Sequence, residues 1–178
     1  MSENSIRIAV PGAAEARILI PALARILIDC VEGGASVSFM LPIDRRAAES
    51  FYEAVVEKIG NGSTILFVAF LDGEPVGAVQ LSPELKPNQP HRADVQKLLV
   101  DRRGRNRGVA QSLMAALEET AKARGRTLLC LDTATGSPAE RLYEKLGWRR
   151  LGVIPNHAMW PQGGLCDTTF FWKDLTML

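Results

Sequence analysis

The chain has 178 residues, 47% of them hydrophobic and 23% charged, with a formal net charge of +1. This length and apolar share support a sizeable core and an expected single domain over residues 1–178; the near-neutral charge excludes a global field that would recruit nucleic acid or an anionic membrane. Three scattered cysteines, Cys30, Cys130 and Cys166, lack C-x-x-C or Cys/His spacing, which argues against a disulfide framework or a metal site.

In chain order, Ile6 to Val10 alternates and reads as a first strand. Residues 13–31 have helical spacing, and Pro21 is expected to kink that helix or start a new one. The apolar run from Ile18 to Ile28 contains Pro21 and Arg25 and is too short to span a bilayer. No basic segment precedes an apolar one at the start, so no secretory leader is read and the cytoplasm is the expected compartment. Gly33-Gly34 closes the helical stretch and residues 35–41 read as a loop. Asp44 to Ile59 forms an amphipathic helix closed by Gly60-Asn61-Gly62. Thr64 to Leu71 and Pro75 to Leu81 read as a hairpin around Asp72-Gly73-Glu74.

Ser82 to His91, with three prolines, is a loop long enough to suggest function. Asp94 to Val100 is a fourth strand, residues 109–124 a helix, and Arg126 to Thr133 a fifth strand. Ser137 to Leu146 is helical, with Pro138 suited to its first turn. Trp148 to Val153 and Thr168 to Lys173 close the sheet, separated by a loop holding His157, Trp160 and Gly163-Gly164. The succession β, α, α, β, β, β, α, β, α, β, β is a mixed α/β pattern around one sheet.

The densest information lies where the fourth strand meets the following helix. Between them stand Arg102, Arg103, Arg105 and Arg107, ending at Gly108. A helix that starts at Gly108 offers unpaired N–H groups, and such an end attracts anions, phosphate above all. The usual mononucleotide and dinucleotide loops, G-x-x-x-x-G-K-[ST] and G-x-G-x-x-G, are missing.

The segment Arg105-Asn106-Arg107-Gly108-Val109-Ala110 resembles the coenzyme A loop of the GNAT superfamily of N-acetyltransferases. A second segment, Gly136 to Trp148 with Leu142-Tyr143 and Gly147-Trp148, is similar to that family's later motif, and the order of elements agrees from end to end. The resemblance implies a mixed α+β GNAT fold. That fold has a seven-stranded, mostly antiparallel sheet with parallel, splayed fourth and fifth strands, flanked by about four helices. It also implies acetyl-CoA as co-substrate and no metal. Contacts to acetyl-CoA would come from the backbone of Leu98 and Val100 and from Arg105, Asn106, Arg107, Gly108, Val109 and Ala110. Asn106 replaces a commoner glycine there, and Asn tolerates a left-handed backbone better than most residues. Three further segments resemble a subgroup that acetylates an amino-acid toxin: Gly33 to Met40, Arg92 to Leu98, and Leu131-Asp132-Thr133 with Gly136-Ser137. They imply a detoxifying or resistance role. In that subgroup Glu stands where this chain has Asp94, whose reach is shorter by about 1.5 Å, one carbon–carbon bond.

Acetyl transfer to an amine needs a neutral nucleophile, yet an alkylammonium titrates near about 10.4, so a general base is required. Asp94 and Asp132 are the candidates; either could instead form a turn or simply bind the substrate ammonium. Strand alternation puts Asp94 with Gln96 and Leu98 on one face and pairs Asp132 with Cys130. Tyr143 matches the family tyrosine that protonates the departing thiolate, the alternative being a packed aromatic. Cys130 reads as a small buried side chain, and His91 and His157 as exposed loop residues. The expected reaction is acetylation of a small-molecule amine. Acetylation of protein N-termini or lysines, and a non-catalytic acyl-CoA sensor, remain open alternatives. A closed pocket built from residues 33–41 and 155–167 would favour a small molecule, and an open acidic groove a peptide. No nucleic-acid or membrane partner is expected; a homodimer is open.

Overall fold

Nearly all-apolar Ile65–Leu71 can be satisfied only where both faces of a strand are covered, and the fold is built around that requirement. The computed structural model describes residues 5–177. Its elements are β1 (Ile6–Ala9), α1 (Ala13–Glu32), α2 (Arg45–Gly60), β2 (Ile65–Leu71), β3 (Glu74–Pro83) and β4 (Arg92–Val100). They continue as α3 (Val109–Ala123), β5 (Leu128–Ala134), α4 (Pro138–Lys145), β6 (Arg149–Met159) and β7 (Leu165–Asp174), with a terminal 3-10 turn at Leu175–Met177. The seven strands form one sheet in the order β1-β2-β3-β4-β5-β7-β6. Every pairing is antiparallel except β4 with β5.

Two apolar layers flank the sheet. Leu66 and Val68 of β2 pack with Leu23, Leu27, Tyr52 and Val56 of α1 and α2. Phe67 and Ala69 turn the other way, onto Leu113 and Leu117 of α3, in a layer that also holds Tyr143 and Trp148. The N-cap of α2 is Asp44, whose Oδ1 accepts from the Ala47 N–H at 2.6 Å, and that of α4 is Ser137, whose hydroxyl accepts from Glu140 N–H at 3.2 Å.

The structure corrects two expectations about elements. Pro21 does not start a new helix: Ala13–Glu32 is one helix with Pro21 inside it. Proline costs that helix one hydrogen bond, but its buried face packs on both sides of that gap in the ladder, through Ala16 and Ile20 before it and Leu23, Ala24, Ile26 and Leu27 after it. Strand β6 does not stop at Val153. It runs to Met159, so His157 lies on a strand, and the connection to β7 shrinks to residues 160–164.

A third correction positions the site. Ala78 faces Leu99, but Gln80 faces Gln96, so β4 carries one extra residue against β3. The bulge falls at Lys97, whose φ is 54°. Ala93 and Val95 belong to the α3 layer, and beyond the bulge Leu98 joins that same layer while Leu99 turns to α1 and α2. Asp94 and Gln96 therefore do not share a face with Leu98.

Candidate active site

Parallel strands β4 and β5 pair only through Arg92 with Leu128, Ala93 with Leu129 and Asp94 with Cys130. Beyond that point β4 continues to Val100 and β5 to Ala134, and the two part. A parting of parallel strands leaves backbone donors and acceptors along both edges of a slot without ladder partners.

At the far end of β4 the chain enters the arginine turn. Arg102 donates from its backbone N–H and its Nε to the carboxylate of Asp29, at the end of α1. Arg103 is spent on Asp101, with N–O distances of 2.7 and 3.0 Å, and on the Pro75 carbonyl. Arg105 is exposed and held along the turn: its Nε donates to the Val100 carbonyl at 3.2 Å, and a terminal nitrogen lies 3.7 Å from Asp29. Arg107 is exposed. Asn106 and Gly108 adopt left-handed conformations, with φ of 58° and 81°, the geometry expected of the Asn replacement. Gly108 is the N-cap of α3 and supplies no side-chain cap, so the first-turn N–H groups of Val109 and Ala110 point out of the helix end. Of the arginines expected to meet a phosphate, Arg105 is thus engaged by the Val100 carbonyl and lies near Asp29, whereas Arg107 is exposed with no ion pair among the described residues. The Val100 carbonyl also accepts from Cys30 Sγ at 3.5 Å. Burial pushes the Cys30 thiol up to about 11, against the lowering effect of Arg105.

Next to the slot the sheet face is open. A cleft of ≈ 680 Å³ is lined by Arg92, Asp94, Gln96, Cys130, Asp132 and, on the floor side, Leu151, Phe170 and Trp172 among others. Antiparallel register explains the floor: Trp172 lies across from Cys130 and Phe170 across from Asp132, so all four project to the same side. Asp94 stands beside Cys130 on the adjoining strand. Both candidate carboxylates thus face one cleft. Burial raises the Asp94 carboxyl above its ordinary value, with Arg92, 3.6 Å away, pulling the other way and Glu84 and Asp132 adding to the rise. Cys130 is only half-buried and lines the cleft, in place of the enclosed side chain expected; burial and then Asp94 raise its thiol.

Tyr143 comes from α4, with its ring in the α3-side layer against Trp148 and Phe171, each at a centroid distance of 5.9 Å. Burial, and then the charge of Asp132, push its phenol well above the ordinary range. Among the described residues the sealed, partnerless polar side-chain atoms are Tyr52 Oη, Gln89 Oε1 and Arg92 Nε. The Tyr143 hydroxyl is not among them, although the residue as a whole is only 5% exposed and does not line the cleft.

Asp132 is the hub of this arrangement, within electrostatic reach of Asp94, Lys97 and Tyr143. Lys97 was not anticipated as a site residue, nor was Ser38, whose hydroxyl accepts from Lys97 Nζ at 2.9 Å. Phe170, Trp172 and Arg92 were likewise missed. His91 is exposed and His157, also exposed, sets its ring edge-to-face on Phe170 at 5.4 Å. The loop of residues 33–41 crosses to the β6–β7 hairpin: Ser36 donates to the Met159 carbonyl and Leu41 N–H to that of Pro161, each at 2.8 Å.

Residues 31–148 match the profile of the acetyltransferase (GNAT) family. A curated relative from Azospirillum brasilense, an uncharacterized N-acetyltransferase in the hisH-hisA intergenic region, is 30% identical over 156 residues, 84% of this chain and 85% of that protein. Among solved structures, a ribosomal-protein-alanine N-acetyltransferase from Brucella melitensis superposes with a TM-score of 0.78 at 23% identity, over 95% of this chain and 99% of that one. A Salmonella typhimurium acetyltransferase structure holding its cofactor acetyl-CoA superposes with a TM-score of 0.76 at 18% identity, over 97% and 95% of the two chains. At such identities the structural likeness speaks for the fold alone.

Proposed function

The chain belongs to the acetyltransferase (GNAT) family, and from that premise we propose that it moves an acetyl group from acetyl-CoA to the amine of a small molecule. The observation that carries the reading is the parting of β4 from β5 beside two cleft-facing carboxylates, with the buried Tyr143 within electrostatic reach of Asp132.

Bound acetyl-CoA supplies the activated acetyl thioester. The residues present suit it: the uncapped start of α3 offers N–H groups to a pyrophosphate, Arg107 adds a charge, and the slot offers unpaired strand edges to an extended arm. Asp132 and Asp94 draw the acceptor ammonium into the cleft, and one of them takes its proton, leaving the nitrogen lone pair free to bond the acetyl carbon. A carboxyl raised by burial is a stronger base than a solvated one, which suits Asp94 to that step. Tyr143 holds a proton at its Oη for the sulfur as the carbon–sulfur bond breaks; burial keeps the phenol protonated until then. Phe170 and Trp172 floor the cleft and limit the water that could compete for the acetyl group.

A small acceptor is favoured over a peptide because the loop of residues 33–41 is tied to the β6–β7 hairpin, across the line an extended chain would follow. The likeness of three segments to the tabtoxin resistance acetyltransferase supports an amino-acid-like toxin or antibiotic as the acceptor, and hence a resistance role in the cytoplasm. Among the described residues no helix is long and apolar enough to cross a membrane.

The test is release of free thiol from acetyl-CoA in the presence of amine panels covering amino-acid analogues, polyamines, aminoglycosides and short peptides. Turnover with a small amine, abolished in Asp132→Asn, supports the reading. Failure to bind acetyl-CoA by calorimetry overturns it, and exclusive use of peptides overturns the small-molecule assignment.

A further inference from the structure

A regular β4 would send Lys97 to the same side as Ala93 and Val95, into the apolar layer under α3. The bulge prevents this: Lys97 takes a left-handed backbone, φ 54°, and its ammonium emerges on the side of Asp132. Its hydrogen-bond partner, Ser38, is also left-handed, with φ 75°. Neither residue type is at ease there, and non-glycine residues held in this region gather at functional sites. Two strained residues from distant parts of the chain, one on the sheet and one on the crossing loop, thus hold each other at 2.9 Å. Lys97 as a residue is half-buried while its contact with Ser38 is exposed, and among the described residues its pairs within 4.0 Å include no carboxylate. The ammonium is thus open to an anion arriving from solvent.

The acceptor cleft and its margin are therefore polarised. Asp94 and Asp132 line the cleft and make an anionic centre suited to an ammonium, and just past Gln96, the last cleft-lining residue of β4, Lys97 with the Ser38 hydroxyl makes a cationic, hydrogen-bonding pair outside the lining itself. We propose that Lys97 and Ser38 form a carboxylate subsite, so that the acceptors of this enzyme are amines that also carry a carboxylate, as amino acids and their analogues do. The acceptor carboxylate takes a charge-assisted hydrogen bond from Lys97 Nζ and a second from Ser38 Oγ, while its amine sits at the two aspartates. This specificity role rests on the acetyltransferase reading given above. Burial lowers the lysine toward neutrality, with Lys58 adding to that and Asp132 opposing it; an arriving carboxylate would reverse the shift.

The experiment compares acetylation of each natural amino acid with that of its own carboxamide, in the wild type and in Lys97→Met, Lys97→Arg and Ser38→Ala. Loss of one charge-assisted contact corresponds to roughly 10–100-fold in kcat/KM. The expected result is a preference of that size for acids over amides in the wild type. It should collapse in Lys97→Met, shrink in Ser38→Ala, and return in part in Lys97→Arg. Equal use of acid and amide by the wild type, or a preference that survives Lys97→Met, overturns the subsite and leaves the acetyltransferase reading standing. A second readout needs no turnover: brief labelling of amines with acetic anhydride, read at Lys97 by mass spectrometry. Amino acids should protect Lys97 where their carboxamides do not, and indifference of Lys97 to every acid overturns the proposal even if no acceptor is turned over.

Discussion

Replacing Tyr143 by phenylalanine separates chemistry from packing more cleanly than any other single change in the site. The ring supplies the contacts to Trp148 and Phe171, and Tyr143→Phe keeps it. The change removes one oxygen and keeps the packing of the ring, so it should leave stability within about 1 kcal/mol of wild type. A positioned general acid contributes about 10²–10⁴ in rate, equivalent to roughly 3–5 kcal/mol in the barrier. The expected outcome is thus a fall of that order in kcat with a nearly unchanged melting midpoint and unchanged acetyl-CoA affinity. Truncation to alanine is the contrast: it leaves a void between Trp148 and Phe171 and should cost about 3–5 kcal/mol of stability. Thiol release, calorimetry and denaturant titration on the two variants read all three quantities. A Tyr143→Phe enzyme with full kcat would refute the proton-donor role and leave Tyr143 as a core aromatic.

Asp29 receives Arg102 twice and stands near Arg105, so Asp29→Ala should loosen the arginine turn and weaken acetyl-CoA binding about 5–10-fold, on the scale of one lost charged hydrogen bond. Calorimetry checks it, and KM for acetyl-CoA should rise while kcat changes less. At Gly77 an added Cβ would lie 2.9 Å from the Leu99 carbonyl oxygen and 3.1 Å from Val109 Cγ1. Gly77→Ala should accordingly destabilise the fold by about 1–3 kcal/mol, read by denaturant titration, and displace the start of α3. Arg92 stabilises the Asp94 carboxylate, so removing that cation favours the protonated acid. If Asp94 is the base, Arg92→Gln shifts the acidic limb of the kcat/KM profile to higher pH; a limb that stays in place assigns the base to Asp132.

The order of elements and the start of α3 at Gly108 were legible because each rests on a local signal: an arginine turn ending in glycine, a capped helix, a strand period. Asp94, Asp132 and Tyr143 were singled out as candidates with the help of a family resemblance. What escaped depends on how neighbouring strands line up. Strand β6 looked finished at Val153 because Pro155 and Asn156 follow. As an edge strand paired on one side only, it absorbs them in the register shift between Ile154 and Ala158. Lys97 escaped for a related reason, although the sequence held a clue. Apolar side chains at Ala93 and Val95 predict another at 97, yet the lysine stands there and Leu98-Leu99 follow as an adjacent pair. A strand that keeps strict alternation would bury that ammonium under α3 without a partner, at a cost the fold could not recover elsewhere. The bulge resolves the conflict by adding one residue. The same residue that breaks the alternation of β4 thereby reaches Ser38 and faces Asp132. Where local pattern and burial disagree on a strand next to a cleft, the disagreement marks the residue whose role is worth testing first.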